Sequence, residues 1–157
     1  MALRNILTER DPILRKRSRP VETYDERLHA LLDDLAETLA DANGAGLAAP
    51  QVGILRRAVI VDAGDGVTEL VNPKIIYESA EKLNEAEGCL SSPGEWGMVL
   101  RPKKVVAAYF DRFGNPHEIT GEGLLARAIC HEIDHLDGRL FKDLASRMLD
   151  PKEIEEE

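Results

Sequence analysis

The sequence predicts an α+β fold, in which a helix near the N-terminus precedes a run of antiparallel strands and a second helix that the strands surround. Three observations support this prediction: one helical pattern comes first, short β-rich segments follow it, and a second helical pattern comes after them. Because no helical segment separates the β-rich runs, antiparallel pairing is favoured over alternating βαβ units. We expect one domain over residues 1–157, since no repeat or low-complexity linker divides the chain.

The first helix is predicted from about Asp25 to Ala42. The segment DERLHALLDDLAETLADANG carries leucines three and four residues apart, which is the spacing of one apolar helical face. Asn43 and Gly44 follow this pattern and are typical of a helix end, because both tolerate a left-handed backbone conformation. One amphipathic helix is therefore expected before the strands.

Four β-rich segments follow the first helix. They are RRAVIVDA, ELVNPKIIYES, KKVVAAYFD and HEIT. Turn-forming pairs such as Asp65-Gly66 separate them, which favours short connections between antiparallel strands. A second helix is predicted from about Glu122 to Asp137, and a last helical stretch is expected to run into the acidic tail KEIEEE.

Composition limits the partners that the chain can bind. Its formal charge of −9 at pH 7 argues against a broad nucleic-acid or acidic-membrane surface, although local basic patches stay open. No apolar run is long enough to cross a bilayer, and MALRNILTERDPIL lacks the apolar region of a signal peptide. We therefore expect a soluble, cytoplasmic protein with no DNA partner and no membrane partner.

The stretch GAGLAAPQVG, residues 44–53, is poor in large side chains. Its three glycines weaken any helix or strand that they interrupt, which suggests that something approaches the backbone closely here. The alternative is a helix cap followed by a loose loop. Gln51 is the one long polar side chain in the stretch.

The segment HEIDH is the sharpest chemical signal in the sequence. On a helix, His131 and His135 lie four residues apart on one face, so both imidazoles can reach one metal ion. In HExxH sites the glutamate, here Glu132, is a base and not a ligand. The alternative is a solvated, charged helix that matches by chance. The apolar run LLARAIC before the motif favours a buried helix, in which these polar groups need partners.

Two histidines are too few for a metal site of this type, so a third ligand is needed. Cys89, in the turn-like segment EGCLSSPGEW, is the candidate, and its alternative role is that of a small buried hydrophobic residue. Cys130 precedes His131 and points about 100° away from it around the helix. We therefore assign Cys130 to packing.

Three motifs in this order, GAGLAAPQ, EGCLS and HEIDH, resemble those of the peptide deformylases. The similarity extends from DPILRKRSRPV to HLDGRLF and covers most of the chain. This resemblance implies an α+β fold with a central histidine-bearing helix among antiparallel strands. It also implies hydrolysis of the N-formyl group from the formyl-methionine of new polypeptides, with release of formate.

The resemblance also implies residue roles in catalysis and metal binding. The positions that carry over are Cys89, His131, His135, Glu132, Gln51 and Leu90. The first three are implied ligands, and the fourth is the implied base. The Gln51 side-chain amide and the Leu90 backbone N–H are the implied donors to the developing oxyanion. Loss of one such donor typically costs about 3 kcal/mol of transition-state stabilisation.

Substrate binding is implied at a second group of positions. By resemblance, backbone groups of Ala45, Gly46 and Gly88 bind the substrate main chain, while Leu124 and Ala128 wall a pocket for methionine. A peptide that binds as an added strand needs an exposed backbone without bulky side chains, so Gly46 is expected to clear its path.

Three protein ligands leave a fourth position open for water. A cysteine and two histidines can hold iron, zinc, nickel or cobalt, and the resemblance favours one ferrous ion, with the other metals as substitutes. The implied partners are N-formylated nascent polypeptides. A transient ribosome contact is also implied, although the tail DPKEIEEE is acidic and poorly suited to bind RNA phosphates.

Two charged residues keep alternative interpretations. The alkyl stem of Arg127 could line the methionine pocket, or Arg127 could be a plain surface arginine. Glu87 could pair with Arg101 or orient a metal ligand, or it could form a simple surface ion pair.

Two other function classes compete with the deformylase interpretation. One is an HExxH metallopeptidase that cuts internal peptide bonds; Cys89 as third ligand and the GAGLAAPQ segment argue against it. The other is a non-catalytic domain with a structural metal, which would require four protein ligands, whereas three are visible.

Overall fold

The first helix, α1, spans Glu26–Ala42 in the computed structural model of the chain, which describes residues 2–150 and 152–153. Asp25 caps its first turn by accepting a hydrogen bond from the Leu28 N–H. Asn43 ends the helix in the left-handed conformation, with φ 55°. The helix differs from the predicted one by a single residue because Asp25 is its N-cap.

Five strands form the larger sheet. They are β1 (Gly46–Ala48), β2 (Ala58–Val61), β3 (Thr68–Glu78), β6 (Lys104–Phe110) and β7 (Pro116–Glu122). Their order is β1-β2-β3-β6-β7, and every neighbouring pair is antiparallel. The last four match the four predicted segments, so the antiparallel arrangement expected from the sequence is confirmed. β1 was not predicted, and it forms an edge of the sheet.

A long hairpin and a two-residue strand form the second antiparallel sheet. These strands are β4 (Lys82–Cys89), β5 (Ser92–Pro102) and β8 (Arg147–Met148), in the order β4-β5-β8. The prediction that residues 87–96 form a turn-like segment is wrong. Only Leu90 and Ser91 connect β4 to β5, and the other residues of this segment lie in the two strands. Pro93 and Gly94 fit into β5 because the pairing shifts after Gly88 and Trp96, so that three residues of β5 have no partner on β4.

The second helix, α2 (Leu124–Leu136), contacts strands of both sheets. It is shorter than the predicted helix because Glu122 is the last residue of β7. A four-residue helix, α3 (Phe141–Leu144), follows it and contacts β5. Both ends of the HEIDH segment therefore lie on one buried helix.

Strand β2 connects the two halves of the hydrophobic core. Val59 and Val61 belong to the apolar cluster that includes residues of α2, whereas Ala58 and Ile60 belong to the cluster that includes the leucines of α1. Successive side chains of a strand point to opposite faces, so the sheet separates the two helices. This packing holds α2 against the sheet beside the edge strand β1.

Short 3-10 helices at Pro12–Arg15 and Ala49–Val52 complete the elements that concern us. Among residues 2–150 and 152–153, no helix combines the length and the apolar character that a bilayer crossing demands. The helical stretch expected in KEIEEE lies outside the described residues, apart from Lys152 and Glu153.

Candidate metal centre and active-site cleft

A cleft of about 550 Å³ opens between the start of β1 and the end of the β4–β5 hairpin. Residues of α2 reach into it between these two walls. Its lining is mostly apolar, but it includes His131 and Glu132 from α2, Gln51 from the 3-10 helix after β1, and Cys89 from the end of β4. The three sequence motifs, which are far apart along the chain, therefore meet in one place.

Three side chains could hold a metal ion: Cys89 and His131, which line this cleft, and His135, which lies next to both. The Cys89 Sγ and one ring nitrogen from each of His131 and His135 all lie within 4.8 Å of one another. Cys89 Sγ is 3.3 Å from His135 Nε2, which is 3.2 Å from His131 Nε2. Both histidines are buried on one face of α2, and Cys89 ends β4 opposite them. The structure brings together the three residues that the sequence suggested.

The donor chemistry of this group fits a divalent transition metal. His131 Nδ1 donates to Glu87 Oε2 at 2.6 Å, which leaves the lone pair on His131 Nε2, the atom that faces the other two donors. Burial lowers the pKa of His135, so the neutral ligand form of His135 is favoured. Imidazole and thiolate together suit iron, zinc, nickel and cobalt.

A buried ionic network supports His131 from behind. Arg101 holds Glu87 with two hydrogen bonds, from Nε at 3.1 Å and from Nη2 at 2.7 Å. Its Nη1 also donates to Asp134 Oδ2 at 2.6 Å. Burial acts to raise the pKa of Glu87, but hydrogen bonds from His131 and Arg101 outweigh it and lower the pKa to about 2. Glu87 therefore pairs with Arg101 and orients His131 as well, and the interpretation as a surface ion pair is wrong.

Arg127 belongs to the same network. Its side chain is only 8% exposed, so the interpretation as a surface arginine is wrong. Its Nη1 donates to Glu87 Oε1 at 3.0 Å and to the Val99 carbonyl at 2.9 Å, and its Nη2 donates to the Leu83 carbonyl at 2.9 Å. The alternative in which its charge turns to solvent is also wrong, because this charge is paired inside the protein. Arg127 ties α2 to β4 and β5.

Glu132 points into the cleft beside the candidate ligands. Its Oε1 is buried and has no hydrogen-bond partner within the described chain. Burial raises the pKa of Glu132 to about 7, and the attraction of His131 offsets only part of this increase. A bound cation would favour the ionised form. An unpartnered carboxylate oxygen here is available to a molecule that enters the cleft.

Gly46 is needed because Glu132 approaches the backbone of β1. A Cβ atom at position 46 would lie 2.5 Å from Glu132 Oε2, a distance that real contacts do not allow. At Gly44 a Cβ atom would lie 2.9 Å from the Leu90 side chain. The small residues of GAGLAAPQ therefore make room for side chains of the protein itself, a reason that the sequence analysis did not give.

Gln51 is almost fully buried, with 1% of its surface exposed. Its Oε1 accepts a hydrogen bond from the Ala48 N–H at 2.9 Å, which fixes the side-chain amide. Its Nε2 donates to Ser91 Oγ at 3.0 Å and lies 3.6 Å from Cys89 Sγ. Ser91 was missed by the sequence analysis although it belongs to the EGCLS motif.

The remaining predicted site residues all line the cleft. They are Ala45, Gly88, Leu90, Leu124 and Ala128. Leu124 is 57% exposed at the cleft mouth, whereas Ala128 is buried. Trp96, which the sequence analysis did not single out, covers Gly88, where a Cβ atom would meet its ring at 3.0 Å. As the only tryptophan of the chain, Trp96 could have been selected from the sequence.

Cys130 has no place among the candidate ligands. It is 8% exposed and packs in the apolar cluster between α2 and the larger sheet. Burial raises the pKa of its thiol to about 11, which keeps the thiol protonated at neutral pH. This placement agrees with the packing role that the sequence suggested.

Comparisons with known proteins agree on one family. The model of the family described as Polypeptide deformylase matches residues 3–150. A peptide deformylase of Caldicellulosiruptor bescii is 56% identical, over 99% of this chain and 93% of its own length. That of Caldanaerobacter subterraneus subsp. tengcongensis is 54% identical, over 99% of this chain and 97% of its own.

Solved structures show the same relationship. The peptide deformylase of Legionella pneumophila superposes with a TM-score of 0.88 at 47% identity, covering 92% of this chain and 87% of its own. That of Thermotoga maritima gives a TM-score of 0.91 at 38% identity, covering 93% and 99%. An Ehrlichia chaffeensis peptide deformylase in complex with actinonin gives 0.90 at 37% identity, covering 93% and 90%. With its three motifs gathered in one cleft, the chain belongs to the polypeptide deformylase family.

Proposed function

We propose that this protein removes the N-formyl group from the formyl-methionine of nascent polypeptides and releases formate. The convergence of Cys89, His131 and His135 beside the unpartnered Glu132 carboxylate is the observation that carries the proposal. The family match over residues 3–150 supports one deformylase domain over 1–157. We place the activity in the cytoplasm, where new polypeptides are made.

In this proposal α2 is the central metal-binding helix. Cys89, His131 and His135 hold one divalent ion, for which we propose ferrous iron, with zinc, nickel or cobalt as substitutes. When bound, the ion supplies Lewis-acid chemistry, because it polarises a carbonyl and lowers the pKa of water. Glu87 keeps the His131 ring in the orientation and tautomer that a ligand needs, through its hydrogen bond to Nδ1.

Glu132 acts as the general base and acid. Its free Oε1 accepts a proton from the attacking water and returns it to the departing amine, which becomes the new N-terminus. The attack on the formyl carbon places negative charge on the formyl oxygen. The Gln51 amide and the Leu90 N–H are proposed to donate to this oxygen, and the Gln51 N–H near Cys89 is the one available for it.

The exposed edge of β1 is proposed to bind the substrate main chain. β1 pairs with β2 on one edge only, and the Ala45 carbonyl already accepts from the Asp62 N–H at 2.8 Å. Alternate residues of an antiparallel strand direct their polar backbone groups to opposite edges, so Gly46 presents its groups to the cleft. With the backbone of Ala45 beside it and the Gly88 backbone across the cleft, Gly46 is proposed to support an extended peptide between the two sheets. Leu124 and Ala128 wall the methionine pocket.

The proposal is tested by comparing a short formyl-Met peptide with the same peptide N-acetylated. We expect release of formate from the first, no cleavage of the second, and about one metal ion per chain by elemental analysis of the same sample. Cleavage at an internal peptide bond would favour a metallopeptidase. A tightly bound ion without any turnover would favour a structural metal domain.

The ligand assignment is tested by two cysteine variants. Cys89→Ala should lose both metal and activity, because it removes one of three donors. Cys130→Ala should keep both, because the Cys130 thiol packs in the core. Equal metal loss in the two variants would contradict the assignment.

A further inference from the structure

The N-terminal segment is hydrogen-bonded to both motifs that carry the proposed oxyanion donors. Its residues 7–9, which we call the Glu9 strap, belong to neither sheet. The Leu7 N–H donates to the Gln51 carbonyl at 2.7 Å, and the Glu9 N–H donates to the Ser91 carbonyl at 2.9 Å. The strap therefore joins the 3-10 helix after β1 to the connection between β4 and β5, across 40 residues of sequence.

The Glu9 side chain adds two contacts to these backbone hydrogen bonds. Its Oε2 accepts from Ser92 Oγ at 3.0 Å, and Ser92 is the first residue of β5. Its Oε1 accepts from Lys142 Nζ at 2.7 Å, and Lys142 lies on α3. Lys142 also donates to Glu95 Oε2 at 2.7 Å, further along β5. One carboxylate therefore holds the Glu9 strap to the hairpin and to α3.

Ser91 lies between the Glu9 strap and the Gln51 amide. Its carbonyl accepts from the Glu9 N–H, while its Oγ accepts from Gln51 Nε2 at 3.0 Å. Gln51 and Ser91 are each 1% exposed, so solvent cannot replace the hydrogen bond between them. The residue before Ser91 is Leu90, whose backbone N–H is the second proposed donor. A displacement of residues 90–91 therefore changes the positions of both donors.

We propose that Glu9 is a positioning residue that fixes the two oxyanion donors relative to each other, an inference that rests on the proposed function. Glu9 does not line the active-site cleft, so its contribution passes through the hairpin. Such donors stabilise the transition state only at hydrogen-bond distance from the oxygen that becomes charged. A displacement of about 1 Å can reduce a rate by about 100-fold, even when its origin is distant from the chemistry.

The kinetic test compares Glu9→Ala with the original chain, loaded with the same metal, on a formyl-Met peptide. We expect kcat to fall on the order of 10-fold, because the donors are misplaced and not removed. KM should stay nearly the same, since charge on the formyl oxygen develops only in the transition state. In a Gln51→Ala background, Glu9→Ala should cost less than it does alone, because one of the two donors is already missing.

Two variants provide matched controls. Glu9→Gln can keep both side-chain contacts, since its oxygen can accept from Lys142 and its amide can donate to Ser92 Oγ, and it should restore most of kcat. Arg15→Ala removes a different ion pair between the N-terminal segment and α3, from Arg15 Nη1 to Asp143 Oδ2 at 2.5 Å. Because it leaves the Glu9 strap in place, Arg15→Ala should not change kcat.

A second measurement does not depend on activity. The side-chain amide of Gln51 is followed by NMR in the isotope-labelled, zinc-loaded chain. Glu9→Ala should shift and broaden the resonances of this amide, whereas Glu9→Gln and Arg15→Ala should not. If the original chain released no formate, the proposed function would fail, and the Gln51 resonances would still show whether Glu9 positions the amide.

Unshifted Gln51 resonances in Glu9→Ala, or a rise in KM without a fall in kcat, would overturn the inference. Equal losses of kcat in Glu9→Ala and Arg15→Ala would contradict it, because the effect would then be general to the N-terminal segment. The same holds for equal fold-losses with and without Gln51→Ala. Loss of metal from Glu9→Ala would show that Glu9 positions Cys89 and not the oxyanion donors.

Discussion

Arginine side chains are buried and paired in one region of this molecule, and exposed and unpaired in another region of the described chain. Behind the active-site cleft, Arg101 and Arg127 are 6% and 8% exposed, and both donate to Glu87 at distances between 2.7 and 3.1 Å. On the N-terminal segment and the connection before β2, Arg19 and Arg56 are exposed beside each other, and neither makes an ion pair within the described chain. The first pair fixes the geometry of a ligand, and the second leaves its charge available.

The difference follows from the cost of burying a charge. A guanidinium that is removed from water must be paired and hydrogen-bonded, so its position is defined by its partners. This is why Glu87 can hold the His131 ring in one orientation. An exposed guanidinium keeps its hydration, contributes little to stability and can contact a partner at small cost. Substitutions in the two regions should therefore have very different effects.

The largest effect on turnover is expected at Glu132, which is proposed to transfer a proton in the reaction. Glu132→Ala should retain metal and reduce turnover of a formyl-Met peptide by about 10²- to 10⁴-fold, because Glu132 handles a proton and is not a ligand. Metal content and steady-state kinetics of one preparation check this. Undiminished turnover would remove Glu132 from the mechanism, and loss of the metal would make it a ligand.

The next largest effect, on metal affinity and on the free energy of unfolding, is expected at Glu87, which pairs with Arg101 and Arg127. Glu87→Ala removes the acceptor of His131 and leaves Arg101 and Arg127 without their shared carboxylate. We expect metal affinity to fall by about 10- to 100-fold. The free energy of unfolding should fall by about 3 to 5 kcal/mol, because buried charges lose a partner. Chelator competition and urea unfolding measure the two quantities.

Glu87→Gln provides the control for this prediction. It keeps the shape of the side chain and an acceptor oxygen for His131, but it removes the negative charge between the two arginines. Metal affinity should recover more than stability does. If both variants kept the original metal affinity, Glu87 would have no influence on the ligand.

A smaller effect is expected at Arg127, in the selectivity of the methionine pocket. The Arg127 charge is paired with Glu87, so a substrate carboxylate in this pocket would be desolvated without a partner. Formyl-Met peptides should therefore be preferred over formyl-Asp peptides, and Arg127→Met should keep that preference. Comparable kcat/KM values for the two substrates in the original chain would show that Arg127 reaches the substrate.

The sequence predicted the chemistry of the cleft better than its architecture. His131, Glu132 and His135 were identified because helical spacing puts the two ligands on one face. Cys89 could be suggested only as a candidate, since the position of a lone cysteine depends on tertiary packing. The similarity of the three motifs to a known family completed the site where spacing alone could not.

The hairpin and the ionic network could not be predicted in the same way. Gly88, Pro93 and Gly94 are turn-forming residues, but they lie at a register shift of β4 and β5, which only the sheet pairing reveals. The apolar run LLARAIC favours a buried helix around Arg127, but it does not predict that the arginine side chain itself is buried, because its partners lie on β4 and β5, which are distant along the chain. The role of Gly46 likewise depends on Glu132, which follows it by more than eighty residues.

The smallest effect is expected at the exposed pair Arg19 and Arg56. Arg19→Gln with Arg56→Gln should change the free energy of unfolding by no more than about 0.5 kcal/mol, since exposed substitutions away from caps and networks do little. The sign should be stabilising, if anything, because two like charges are no longer held side by side. Urea unfolding at low and high salt measures this, with Lys74→Gln and Lys82→Gln as the control. Any stabilisation should diminish at high salt, where the repulsion is already screened. A loss of several kcal/mol would mean that these arginines hold the fold together, and the contrast with Arg101 and Arg127 would then fail.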